Sequence, residues 1–138
     1  MIKLLASMML ATVLAVSAQA KETAAKGKPP LHANLARDTK GKEATAFTSA
    51  DTNVYIVYHG DALKKGDKIR AVWYIEDGGK AIDKNAKVSE STNVANRDNA
   101  EGYLNIAKPA AGWPTGKWRV DLFVNDASAG SYKFTVSK

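Results

Sequence analysis

The sequence predicts an all-β domain, an antiparallel sandwich of two sheets with about seven strands. Three observations predict it. In the last third of the chain Trp118, Val120, Leu122 and Val124 fall on every second residue, and Tyr132, Phe134 and Val136 repeat the pattern after a turn placed at Asn125 to Gly130. Successive side chains of a strand point to opposite faces. Each run therefore has one apolar face for a core and one face for water, the latter carrying Lys117, Arg119, Asp121, Lys133 and Thr135. Similar runs recur about every ten residues between Gly, Pro, Asn and Asp clusters, the spacing of a sandwich. No heptad or helical stripe crosses the chain after residue 20.

Residues 1–20 read as a cleavable export signal. Lys3 gives a short positive start, Leu4 to Val16 an apolar run, and Ala18-Gln19-Ala20 the small residues of a cut site. The apolar run is too short to serve as a membrane anchor. The expected product is periplasmic or secreted, with no transmembrane anchor. Removing these twenty of 138 residues leaves 118, enough for one domain around one core. Met1, Met8 and Met9 leave with the signal, and the chain has no cysteine. Disulfides, thiol nucleophiles, thiol-linked lipid and soft sulfur ligands are thereby excluded, and stability rests on packing.

Residues 21–30 contain few groups that can pack, and Pro29-Pro30 favours an extended spacer, so this segment is expected to be a flexible basic arm. The formal charge of +6 concentrates there and just beyond. From residue 43 onward the chain holds thirteen basic and twelve acidic side chains. A solvated tail, rather than a basic binding face, accounts for the excess, and no nucleic-acid partner is expected.

The domain spans 31–138. Leu31, Ala33 and Leu35 suit a first edge strand, and Ala44 to Thr48 a short continuation carrying Phe47 inward. Val54, Ile56 and Tyr58 alternate with Tyr55, Val57 and His59, so this strand is apolar on both faces and should be central. Ile69, Ala71, Trp73 and Ile75 share one face of the next strand, with Arg70, Val72, Tyr74 and Glu76 on the other. Asp77-Gly78-Gly79 supplies hairpin turn chemistry, after which Lys80 to Ile82 should return. One ragged edge strand fits within 83–100, Leu104 and Ile106 mark another, and Gly112-Trp113-Pro114-Thr115-Gly116 bends the chain into the final hairpin.

An immunoglobulin-type sandwich packs a tryptophan of its third strand in the core, and Trp73 occupies that place. The segments Lys68-Ile69-Arg70-Ala71-Val72-Trp73, Gly112-Trp113-Pro114-Thr115-Gly116-Lys117-Trp118 with Arg119 to Asn125, and Phe134-Thr135-Val136 carry a resemblance. They resemble small immunoglobulin-like domains of bacterial exported proteins, over roughly residues 45–138. The resemblance implies an immunoglobulin- or fibronectin-III-like fold and almost nothing about function, since those domains are mostly uncharacterised. The chain departs at Trp118, where such domains usually have Tyr. A corner tied by a tyrosine hydroxyl would here have only an indole N–H to offer.

No catalytic constellation is present: the sequence lacks a Gly-x-Ser-x-Gly turn, a His-Glu-x-x-His pair and a phosphate-cradling glycine loop. The chain is therefore read as a non-enzyme without a cofactor or a dedicated metal site. Its two histidines are His32 and His59, the latter two residues from Asp61, a spacing able to share a proton or a metal. Asp98-Asn99-Ala100-Glu101 offers oxygen ligands but matches a calcium loop poorly and reads better as a turn. Trp113 beside Pro114 reads as a plug at the bottom of the core. The preferred candidate is a surface: if Trp73 and Val120 face inward, Tyr74 and Phe123 face outward with Arg70, Arg119 and Asp121 on neighbouring strands. Binding residues are thus expected at Arg70, Tyr74, Arg119 and Phe123. Against this stands the possibility that Tyr74 and Phe123 merely pair across strands. The expected function is a noncatalytic exported binding module, a monomer, contacting an unknown protein or an envelope polysaccharide. The alternative is a small metal-handling or inhibitory protein working through His59 and adjacent loops.

Overall fold

Strict alternation of apolar residues builds two packed sheets from eight strands in the computed structural model, which describes residues 28–80 and 82–138. The strands are β1 (Leu31–Ala36), β2 (Ala46–Thr48), β3 (Asn53–Gly60), β4 (Lys68–Asp77), β5 (Ala86–Val94), β6 (Glu101–Ala107), β7 (Gly116–Val124) and β8 (Ala127–Ser137). One sheet has the order β1-β3-β6 and the other β2-β8-β7-β4-β5. This is the expected all-β, immunoglobulin-like two-sheet sandwich. The predicted signal segment and residues 21–27 of the predicted arm lie outside the described residues. Pro30, placed in that arm, is tied to the domain: its carbonyl accepts from the N–H groups of Asp61 and Ala62, both at 2.8 Å.

The core is aromatic at its centre. Phe134 stacks on Trp118 (centroids 5.7 Å apart) and meets Trp73 and Phe47 edge-on at 6.1 and 5.5 Å. All four rings are essentially inaccessible to solvent. Each such pair adds about 0.5–1.5 kcal/mol beyond the area it buries. Leu35, Val54, Ile56, Leu104 and Ile106 close over them from the three-stranded sheet. Trp113 is buried as expected and donates its indole N–H to the Asp51 carbonyl. Trp118 donates its own to the Pro114 carbonyl at 3.0 Å. An indole thus makes the backward tie to the backbone that a tyrosine hydroxyl makes in immunoglobulin corners.

Three expectations need correction. Residues 46–48 do not continue the first strand. They form β2, which joins the other sheet by pairing parallel to Thr135–Ser137 of β8, so the sandwich is antiparallel except at this contact. The chain does not return at Lys80 to Ile82: the connection after Asp77 is wide and β5 starts at Ala86, after Asn85 takes a left-handed φ of 59°. The final turn is two residues long, Asn125 and Asp126 with φ of 50° and 71°, the left-handed pair that a tight hairpin turn requires. Gly130, with φ 132°, instead serves an irregularity further along, where the β7–β8 register shifts between Leu122 and Phe123.

β3 is the central strand of its sheet, as expected, and its outward Val57 is covered locally. The connection between β1 and β2 folds back over it: Asn34 donates to the Gly41 carbonyl at 2.9 Å, and Gly41 packs above the Val57 side chain. The expected candidate residues lie on the outer face of the five-stranded sheet, at β4 and β7.

Candidate interaction face

Trp73 pairs with Val120, both wholly buried, so parity sends Arg70, Val72 and Tyr74 of β4 and Arg119, Asp121 and Phe123 of β7 to the outer face. The register then sets the partners. Arg70 lies directly opposite Phe123, Val72 opposite Asp121, and Tyr74 opposite Arg119. Tyr74 and Phe123 do not pair with each other. Each takes a guanidinium instead: Arg70 sits over Phe123 and Arg119 over Tyr74, each with its central carbon 4.4 Å from the ring centroid. A cation over the negative face of a ring gains about 0.5–1 kcal/mol at an exposed site.

The remaining N–H groups of the arginines go to Asp121 and Glu76, which the sequence already placed on this face, and to Asn85, Glu90 and Asp126, which it did not. Arg119 donates to Asp121 at 3.0 Å, to Glu76 at 3.2 Å and to Asn85 at 3.3 Å. Burial by itself would lower the Arg119 pKa, but Asp121 and Glu76 more than offset it and the net displacement is upward. Ser131 donates to Asp121 at 2.8 Å and Lys133 reaches Glu76 at 3.6 Å, so Arg119 sits within a closed network. Arg70 is held more loosely, by Glu90 at 3.6 Å and by Asp126 at 3.3 Å, whose side chain is 82% exposed. Exposed pairs of this kind contribute about 0.2–1 kcal/mol and exchange readily with solvent. Glu90 itself is held below the usual carboxylate range, chiefly by the hydrogen bond from Lys87. Between the two arginines lies an open depression of about 670 Å³, bordered by Arg70, Arg119, Asp121, Phe123, Asp126 and Ser131.

The histidines meet in a way the sequence spacing did not indicate. His32 and His59 are cross-strand partners in β1 and β3 and their rings stack at 5.3 Å. Asp61 approaches His32 rather than His59, with its oxygens 2.9 and 3.1 Å from Nδ1. His59 Nδ1 faces Glu101 at 3.3 Å. Near-parallel imidazoles do not aim their lone pairs at one point, and among the described residues no group of three or more His, Cys, Asp or Glu side chains comes together around a possible metal. The 98–101 segment behaves as a turn: Asp98 accepts from the Lys65 N–H at 2.9 Å, Asn99 has φ 53°, and Glu101 turns to His59. Among the described residues no helix is long and apolar enough to cross a membrane.

No protein-family model matches the chain, and no curated protein matches it. Solved structures do. An immunoglobulin-like protein from Pseudomonas aeruginosa is 14% identical with a TM-score of 0.45, over 79% of this chain and 94% of its own. The CARDB domain of a Pyrococcus furiosus protein, solved with two metal ions, is 13% identical with a TM-score of 0.41, over 80% and 88%. A β-glucosidase from Listeria innocua is 9% identical with a TM-score of 0.46, over 82% of this chain but only 17% of the enzyme. These are likenesses at low identity. The sandwich itself stands on the two sheets and their shared core.

Proposed function

We propose that this chain is a noncatalytic, exported interaction module that engages a protein partner through the outer face of β4 and β7, at Arg70, Tyr74, Arg119 and Phe123. The observation that carries the proposal is the pair of in-register arginine–aromatic stacks. Arginine, tyrosine and phenylalanine are enriched at protein interfaces, and stacking orders the arginines before a partner arrives, which lowers the entropy cost of binding. Of the two partner classes expected, protein or envelope glycan, the covered ring faces favour protein here, because a sugar needs an aromatic face left open.

The two arginines divide the work. Arg119 is enclosed by Glu76 and Asp121 and positions Tyr74. Arg70 has only loosely held partners, so a carboxylate on the partner protein replaces Asp126 at small cost. The test is capture from an envelope extract of the source cells by the immobilised mature chain, with bound proteins identified by mass spectrometry. One protein should be retained by the wild type and lost with Arg70→Ala and with Phe123→Ala, both variants melting as the wild type does. Equal retention by both variants removes this surface from consideration.

A further inference from the structure

The outer side of the three-stranded sheet carries a second, chemically different site. Tyr55 of β3 and Tyr103 of β6 point outward there, and their rings meet edge-on with centroids 5.4 Å apart. Tyr103 is 45% exposed, which is unusual for so large a ring on a strand. Beside them Asn105 donates its amide N–H to the Asn53 side-chain oxygen at 2.8 Å, leaving an amide oxygen on Asn105 that this bond does not engage.

Tyr103 and Asn105 also border an open groove of about 430 Å³, where the β6 edge of one sheet faces the β5 edge of the other. Across it Asn93 donates to the Tyr103 carbonyl at 2.8 Å and to the Tyr58 hydroxyl at 3.3 Å. Ser91 also lines the groove, although its hydroxyl is buried and has no hydrogen-bond partner among the described residues. Among the described residues no lysine or arginine lines the groove, and the charged residue there, Glu101, faces His59 and Arg97.

We propose that this shelf and groove bind a neutral glycan. The C–H face of a sugar ring is apolar and packs against an exposed aromatic ring, while its hydroxyls pair with amides and hydroxyls. Tyr103 supplies the ring, and Asn105 and Asn93 supply the uncharged polar groups. An anionic ligand finds no cation in the groove. An extended peptide adding to the β6 edge finds the Tyr103 carbonyl already taken by Asn93. The tyrosine shelf lies on the sheet opposite the arginine face, and the proposal stands or falls independently of the protein-binding reading.

The test uses the isotope-labelled mature chain in nuclear magnetic resonance titrations with cellohexaose and chitohexaose, both uncharged, and with a heparin hexasaccharide and an extended polar peptide as comparators. At least one neutral sugar should shift the backbone amides of residues 93–96 and 101–105 and spare those of Arg119 to Phe123. Tyr103→Ala should weaken binding roughly tenfold, Tyr103→Phe should keep most of it, and Arg70→Ala should bind as the wild type. Asn105→Ala, at a surface position, gives a second reading should Tyr103→Ala melt early. The proposal is overturned if neither neutral sugar shifts these amides, if the shifts survive both Tyr103→Ala and Asn105→Ala, or if the heparin fragment or the peptide binds the groove more tightly.

Discussion

The Trp118 indole N–H donates to the Pro114 carbonyl four residues upstream, at 3.0 Å, whereas the equally buried Trp73 indole N–H has no partner among the described residues. Two tryptophans in one core therefore hold opposite polar balances. Trp118→Phe removes packing and a satisfied bond, and should cost about 2–4 kcal/mol. Trp73→Phe removes packing but also an unpaired donor, and should cost about 1–2 kcal/mol. Urea unfolding with an unchanged m value measures both. Equal losses, or a larger one at Trp73, would contradict these assignments.

Glycine at position 116 answers to both backbone conformation and space. Its φ is 138°, and a Cβ there would lie 2.1 Å from the Asp77 carbonyl oxygen. Gly116→Ala should lose at least about 3 kcal/mol, or prevent folding, because backbone cannot move aside as a side chain can. At Gly112 φ is 94° with nothing within 4 Å of a Cβ. There the same change should cost only the strain of a left-handed alanine, about 1–2 kcal/mol. Comparing the two melting temperatures separates collision from strain.

On the arginine face stability and binding should part company. Arg119→Ala strips the cover from Tyr74 and leaves Asp121 and Glu76 facing each other, for a loss of about 1–2 kcal/mol. Arg70→Ala should cost less than about 1 kcal/mol while abolishing partner capture. A double-mutant cycle between Arg119 and Tyr74 should return a coupling of about 0.5–1 kcal/mol. No coupling would mean that the stack contributes nothing.

Acid should weaken the fold partly through Asp67. Its carboxylate accepts from the Lys64 N–H at 2.9 Å and from the Asn125 amide at 2.9 Å, and these bonds hold its pKa below the usual aspartate range. The unfolded chain then binds a proton at Asp67 more readily than the folded one. The contribution is complete above about pH 4 and fades as the pH falls through the folded value. Asp67→Asn should flatten the acid limb of a stability–pH curve and leave its neutral region nearly parallel to the wild type. An unaltered acid limb would assign the loss to other carboxylates.

Much of the sandwich was legible because period-two alternation is a local signal: Trp118 to Val124 and Ile69 to Ile75 announce their buried faces by themselves. The same parity placed Arg70, Tyr74, Arg119 and Phe123 on one outer face. Which ring meets which cation was not legible, because that depends on register between strands about fifty residues apart, and a one-residue slip exchanges every partner. Glu76, Glu90 and Asp126 escaped notice as counter-ions for that reason. The Ala46–Thr48 pairing was hidden likewise: three residues carry no period, and their partner is the distant end of the chain. Tyr55 and Tyr103 did leave a trace, since each alternates with core residues and so had to face outward. An unreadable 83–100 segment obscured the groove they border.

The parallel seam between Phe47 and Val136 has a further consequence for the order of assembly. β8 occupies an interior position, flanked by β7 on one side and β2 on the other, so the larger sheet has a gap in its middle until residues 127–137 have left the ribosome. Early strands cannot close over the Phe134 ring before that ring exists. A nascent chain of this design stays open until residues 127–137 arrive, and then shuts in one late, long-range step.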